Sequence, residues 1–160
     1  MVGDASSWEQ RVAAVWQTAS DPKHVVSAID ALANERPADD PVAAYERASA
    51  RDYAGREQEA EALYRSALSL GLAEADRRRT LEATVQLAST LRLLGRCDEA
   101  VAVVDQVPVE VVDDERDWLA AFKALALLDG GRADEAARCA LRALSEHLTQ
   151  YAESVRRYAG

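Results

Sequence analysis

Gly55-Arg56-Glu57-Gln58-Glu59-Ala60, Gly95-Arg96-Cys97-Asp98-Glu99-Ala100 and Gly131-Arg132-Ala133-Asp134-Glu135-Ala136 are one phrase written three times. Glycine, arginine, glutamate and alanine keep their places in every copy, and the glycines stand forty and then thirty-six residues apart. Glycine adopts the left-handed conformation that stops a helix. Acidic residues in the first turn of the next helix meet its positive end. Alanine, with almost no side chain, lets two antiparallel helices approach closely. A second small or apolar position follows seven residues on, at Ala67, Val107 and Ala143, two turns along the same face. Leu68 and Leu144 come next in the outer copies. The phrase therefore marks where one helix turns back along its neighbour.

Outward from these turns the chain reads as helix nearly throughout. Only 7 glycines, 4 prolines and a single phenylalanine occur, which leaves little raw material for sheets. Apolar residues recur at helical spacing, first as Trp8, Val12, Val15, Trp16 and Ala19, then as Val25, Ile29, Leu32 and Ala33. Between these stripes Ser20-Asp21-Pro22 supplies a capping side chain and a proline suited to the first helical position. Asp39-Asp40-Pro41 repeats the device after Arg36-Pro37. Helices are expected over 8–19, 22–35, 41–54, 57–70, 76–94, 97–107, 115–129 and 132–158. The last carries no glycine or proline between Arg132 and Ala159, and reads either as one bent helix or as two joined near Ser145. Residues 108–113, Pro-Val-Glu-Val-Val-Asp, read as non-helical but too short and isolated for a sheet.

Charge and length narrow the function classes. With 19 basic against 28 acidic residues the net charge is −9, opposite to the basic face that nucleic acid or an anionic membrane surface requires. A chain of 160 residues that is 49% hydrophobic can bury a core without disulfides, and Cys97 and Cys139 make no disulfide framework. No apolar run approaches the roughly 18–20 residues of a membrane span. Met1-Val2-Gly3-Asp4-Ala5 lacks a signal-peptide pattern, so a soluble cytoplasmic domain is expected.

The recurring hairpin resembles the tetratricopeptide repeat, a unit of about 34 residues with a helix A, a glycine turn and a helix B. The family's small–aromatic–small pattern in helix B is matched by Ala60, Tyr64 and Ala67, then by Ala100, Val104 and Val107, and by Ala136, Ala140 and Ala143. Leu87, Ala88 and Leu91 stand where helix A of the family has leucine, a small residue and tyrosine. Ala44, Thr84 and Ala120 replace its first-helix tryptophan. The longer spacing here lengthens the turns at about 71–76 and 108–114. Ala75-Asp76-Arg77-Arg78-Arg79-Thr80-Leu81 with Leu91-Arg92-Leu93-Leu94-Gly95-Arg96 resembles a compact bacterial subgroup, and the alanine and arginine richness suits a high-GC bacterial genome. The resemblance implies an all-α, right-handed superhelix over 1–160. It would comprise an N-terminal hairpin at 8–35, repeats at 41–70, 76–107 and 115–144, and a capping helix at 145–158.

No catalytic constellation stands out. Gly-x-Ser-x-Gly, a phosphate-binding Gly-Lys-Ser/Thr loop and Gly-x-Gly-x-x-Gly are absent. His24, His147, Cys97 and Cys139 lie in separate segments, so neither a metal nor another cofactor is expected. Cys97 at a helix start reads as a small residue at the turn rather than a redox thiol. Asp39-Asp40 and Asp113-Asp114 read as caps rather than an acid–base pair. Arg77-Arg78-Arg79 is the best candidate for an anion contact, but Glu74, Asp76 and Glu82 surround it and favour local pairing.

The resemblance implies a concave side lined by A helices that holds an extended peptide or a partner's helix. Counting back from each glycine gives Tyr45, Ser49, Asp52 and Tyr53 in the first repeat, Val85, Gln86, Ser89 and Arg92 in the second, and Trp118, Phe122 and Leu125 in the third. Some members of the family clamp a terminal carboxylate through lysine and asparagine. Tyr45 and Ser49 occupy the first two clamp positions here, so that specificity is not expected. Trp118 and Phe122 either face the groove beside Arg92 or pack under the C-terminal helix with Leu148 and Tyr151. The expected function is a non-catalytic adaptor for a protein or peptide partner. One alternative is a homodimer or larger homo-oligomer joined through its terminal helices, with Trp8 and Trp16 either capping the stack or forming the contact. Another is a small-ligand binder or enzyme with a pocket among Tyr53, Arg92 and Trp118.

Overall fold

The computed structural model describes residues 3–160, with side chains from Ser7 onward except that of Asp113. Met1 and Val2, where the N-terminal reading starts, and the Asp113 side chain, read as part of a cap, lie outside the described set. The described residues form ten helices and no strand: α1 (Gly3–Gln17), α2 (Pro22–Ala33), α3 (Pro41–Tyr53), α4 (Glu57–Ser69), α5 (Leu72–Ala75), α6 (Arg77–Leu93), α7 (Cys97–Asp105), α8 (Asp113–Asp129), α9 (Ala133–Ser145) and α10 (Ala152–Ala159). They gather into two compact units, the division falling between Arg79 and Thr80.

The turns take the form their residues dictate. Gly55, Gly95 and Gly131 have φ of +66°, +76° and +76°. At each, the following arginine N–H donates back to a carbonyl five residues earlier: Arg56 to Arg51 (2.9 Å), Arg96 to Leu91 (2.8 Å) and Arg132 to Leu127 (2.8 Å). The glycine N–H groups donate to Asp52, Arg92 and Leu128 (3.0, 2.9 and 3.0 Å). This double bond pattern closes a helix through a left-handed glycine. The arginine side chain acts separately, its guanidinium forking onto the glutamate three residues on. Nε and Nη2 of Arg56, Arg96 and Arg132 bind both oxygens of Glu59, Glu99 and Glu135 at 2.6–2.8 Å. These forks are largely exposed and screened by solvent, so they contribute little to stability.

In the first unit the proline-led helices begin as their sequence predicts. The Asp21 carboxylate accepts the Lys23 N–H at 3.1 Å, and Asp40 Oδ1 accepts the Ala43 N–H at 2.8 Å, each ahead of a proline in the first turn. Helix α1 packs on α2, α2 on α3, and α3 on α4, with the short α5 against both α3 and α4. Their shared core includes Trp8, Val12, Val25, Ile29, Leu32, Ala43 and Ala50. Trp8 is 2% exposed and its indole N–H donates to the Leu32 carbonyl at 2.8 Å. Trp8 and Trp16 are thus packing residues of this unit.

In the second unit α7 packs on α8, α8 on α9, and α9 on α10. Thr84 and Thr90 are buried in α6 because their hydroxyls donate to the carbonyls of Thr80 and Gln86, four residues earlier.

Several boundaries differ from the sequence expectation, as where α1 runs over Gly3–Gln17 against an expected 8–19 and α8 begins at Asp113 rather than 115. The lengthened turn at 71–76 contains α5, whose Leu72 is fully buried. Helix α7 ends at Asp105, so Val107 lies beyond it. Of the two readings of 132–158 the structure takes the second, with α9 ending at Ser145 and α10 beginning at Ala152. After Ser145 the N–H groups of Glu146, His147 and Leu148 donate three residues back, tightening the last turn, and Tyr151 takes φ +65°. No glycine or proline announces this break.

Candidate partner-binding surface

In the second unit α8 presents Trp118, Phe122 and Leu125 at i, i+4 and i+7, on one face. Its N-terminus is held by Glu115, whose Oε2 accepts the Val112 N–H at 3.0 Å. Leu119, Ala126 and Leu127 are the buried side of the helix, while Trp118 is 38% and Leu125 42% exposed and Phe122 is half-buried. Tyr151 is 77% exposed, so the two aromatic rings are not sealed beneath it. On α6, Gln86 is exposed and Ser89 half-buried, whereas Val85 is buried and leaves the surface. Arg92 Nη1 donates to Asp129 Oδ2 at 2.6 Å, joining α6 to the end of α8. Arg92 Nε is buried and has no acceptor among the described residues.

The first-unit candidates on α3 divide differently. Tyr53 is 45% exposed, with its ring edge-on to Trp16 at 6.0 Å. Ser49 and Asp52 are half-buried beside the Tyr64 hydroxyl, which lies 3.5 Å from Ser49 Oγ and 3.3 Å from Asp52 Oδ2. Burial pushes that hydroxyl well above its ordinary range, and the Asp52 charge adds to the effect. Tyr45 is a packing residue rather than a surface contact: it is buried, its ring 6.3 Å from that of Tyr64, with the Arg79 guanidinium 6.0 Å above it. Arg92 and Trp118, grouped by sequence with Tyr53 as a candidate pocket, belong to the second unit.

The strongest electrostatic feature lies next to Tyr45. Glu46, only 4% exposed, accepts from the Trp16 indole N–H at 2.9 Å and from Arg79 Nε at 3.1 Å. Arg79 also donates to both oxygens of Glu9 (3.2 and 2.6 Å) and to Asp76 (2.8 Å). Burial pushes the Glu46 carboxyl above its ordinary value, against the pull of Trp16 and Arg79. Partial burial works against the Arg79 charge as well, but the Glu9 bonds and the charge of Glu46 outweigh it and raise its pKa. Arg79, the third residue of the arginine run, is therefore held by the carboxylates of Glu9, Glu46 and Asp76. Sequence reading passed over Glu46, although it sits in the Ala43–Glu46–Ala50 stripe where a charge interrupts apolar spacing.

The cysteines and His147 have local partners. The Cys139 thiol donates to the Ala120 carbonyl at 3.5 Å, and burial pushes its pKa up, away from the reactive thiolate. Cys97 sits tight against the turn before Gly131: a Cβ on Gly130 would come within 3.1 Å of its own. His147 Nε2 lies 2.8 Å from Asp117 Oδ2. Among the described residues no three His, Cys, Asp or Glu side chains are grouped to hold a metal. None of the helices there is long and apolar enough to cross a membrane.

A family model described as Tetratrico peptide repeat matches residues 41–160. The chain belongs to the tetratricopeptide-repeat family. Neither a curated protein nor a solved structure matches it. The repeat's small–aromatic–small trio is clearest in the first copy, where Ala60, Tyr64 and Ala67 are all fully buried. It loosens in the third, where Ala136 is buried but Ala140 is exposed. Tetratricopeptide repeats generally mediate protein–protein interaction.

Proposed function

We propose that the protein is a non-catalytic adaptor that holds a peptide or a helix of a protein partner on its helix-A surfaces, with the α8 face as the principal contact. The observation that carries this reading is the strip of exposed Trp118 and Leu125 with half-buried Phe122, one turn ahead of the Asp129 that pairs with Arg92. Aromatic side chains next to arginine dominate the energetics of protein interfaces. Gln86 and Ser89 supply polar contacts at its side, and Tyr53, Ser49 and Asp52 are the candidates on α3. An affinity pull-down comparing the wild type with Arg92→Glu/Phe122→Ala tests it. A partner lost by the variant and retained by the wild type supports the reading, and a partner held equally by both moves the site elsewhere.

A second reading, self-association through the C-terminal helices, rests on a separate observation. Leu141, Leu144, Tyr151 and Tyr158 are 42%, 52%, 77% and 83% exposed. Light scattering across a concentration series discriminates, since a mass that stays at one chain removes this reading.

A further inference from the structure

The second unit also holds a cleft of about 980 Å³ between α7, α8 and α9, lined by none of the residues on the α8 strip. Its lining combines apolar surface with charge. Val101, Ala120, Leu127 and Ala143 supply apolar surface, while its charged residues include Lys123, Arg138 and Arg142. The acidic side chains that line it are already engaged. Asp105 accepts from Lys123 at 2.5 Å, Asp117 meets His147 at 2.8 Å, Glu135 gives both oxygens to Arg132, and Glu146 accepts from Arg156 at 3.0 Å. Arg138 and Arg142 differ: both are exposed and neither makes a hydrogen bond or an ion pair among the described residues, although the Arg138 charge helps to lower the Glu135 carboxyl and its guanidinium lies beside Gly160. A chain with a net charge of −9 thus offers, on one wall of a cleft, two guanidinium groups that no hydrogen bond or ion pair among the described residues holds.

We infer that this cleft binds an extended acidic peptide segment of another protein, with carboxylates at alternate positions received by Arg138 and Arg142. Spacing supports this occupant. Residues four apart on a helix are separated by about 6 Å along its axis. Alternate side chains of an extended strand point the same way about 6.5–7 Å apart. Each guanidinium offers a fork that matches a carboxylate bidentately. The apolar lining receives the aliphatic stems and backbone between them. This site and the α8 strip are separate surfaces, so either stands without the other.

Fluorescence anisotropy tests it, using the full chain and a labelled peptide of alternating glutamate and alanine. Arg138→Gln/Arg142→Gln is the key variant, and because both side chains are exposed its circular dichroism melt is expected to match the wild type. The wild type is expected to bind, and the variant to bind at least about tenfold more weakly, the equivalent of about 1.4 kcal/mol. Replacing glutamate by glutamine in the peptide should abolish binding, and raising salt from about 0.05 to 0.5 M should weaken it. Trp118→Ala/Phe122→Ala is expected to leave this affinity unchanged, which separates the cleft from the adaptor surface. Equal binding by wild type and arginine variant would overturn the inference, as would no wild-type binding at peptide concentrations of about 1 mM. Displacement by inorganic phosphate at the same concentration as unlabelled peptide would also overturn it, marking a generic anion site.

Discussion

Gly95 holds its turn at φ +76° with open space where a Cβ would stand, so substitution there meets backbone strain alone. Gly95→Val is expected to cost roughly 1–3 kcal/mol, because a β-branched residue resists positive φ. An unchanged thermal melt would mean that the turn does not need its left-handed residue. Gly130, one residue before the third turn, has ordinary φ but stands where a Cβ would crowd Cys97, so its constraint is steric. Glu46 makes a different kind of prediction. Burial raises its carboxyl above 4.5, so the folded chain holds that proton to higher pH than the unfolded chain does. The resulting stability is present below the unfolded value and lost as pH rises through the folded one. Glu46→Gln, neutral at every pH and still able to accept from Trp16, should gain on the wild type as pH rises from about 4 toward 7. Melting temperatures across that range check it, and a gap that narrows with rising pH would contradict it.

At the scale of the element, α1 is joined to the rest of the first unit by polar as well as apolar contacts. Trp8 donates to Leu32, Arg11 forks onto Glu35 (2.7 and 2.5 Å), and Trp16 and Glu9 reach Glu46 and Arg79. Trp8→Phe would keep most of the ring and remove the buried indole N–H, so a loss of about 1–2 kcal/mol in urea denaturation is expected. No loss would mean that the Leu32 carbonyl finds another donor. The phrase at Gly55, Gly95 and Gly131 made the hairpins legible, because a left-handed glycine and an acidic first turn act locally. The caps at Asp21 and Asp40 were legible for the same reason. The break between α9 and α10 was legible only as one of two readings near Ser145, because Tyr151 takes a left-handed conformation with neither glycine nor proline to signal it. Helix α5 escaped notice because four residues are too few for periodicity to register, although Leu72 is wholly buried.

At the scale of the whole molecule, the candidate surface was only half legible. Counting back from a glycine gives a helix face, but not the long-range neighbours that cover it. Tyr45 shows the limit: Tyr64 and an arginine held by Glu9, seventy residues away in sequence, enclose its ring. Trp118 and Leu125 remain exposed at their counted positions. The central claim is that a partner protein docks on the α8 strip, and site-specific photo-crosslinking in cells tests it most directly. A benzophenone side chain placed at Phe122 is predicted to capture a distinct partner protein, while the same probe at Leu141 captures no second copy of the chain. A probe at Phe122 that captures nothing, with Leu141 crosslinking to a second copy of the chain, would contradict the account.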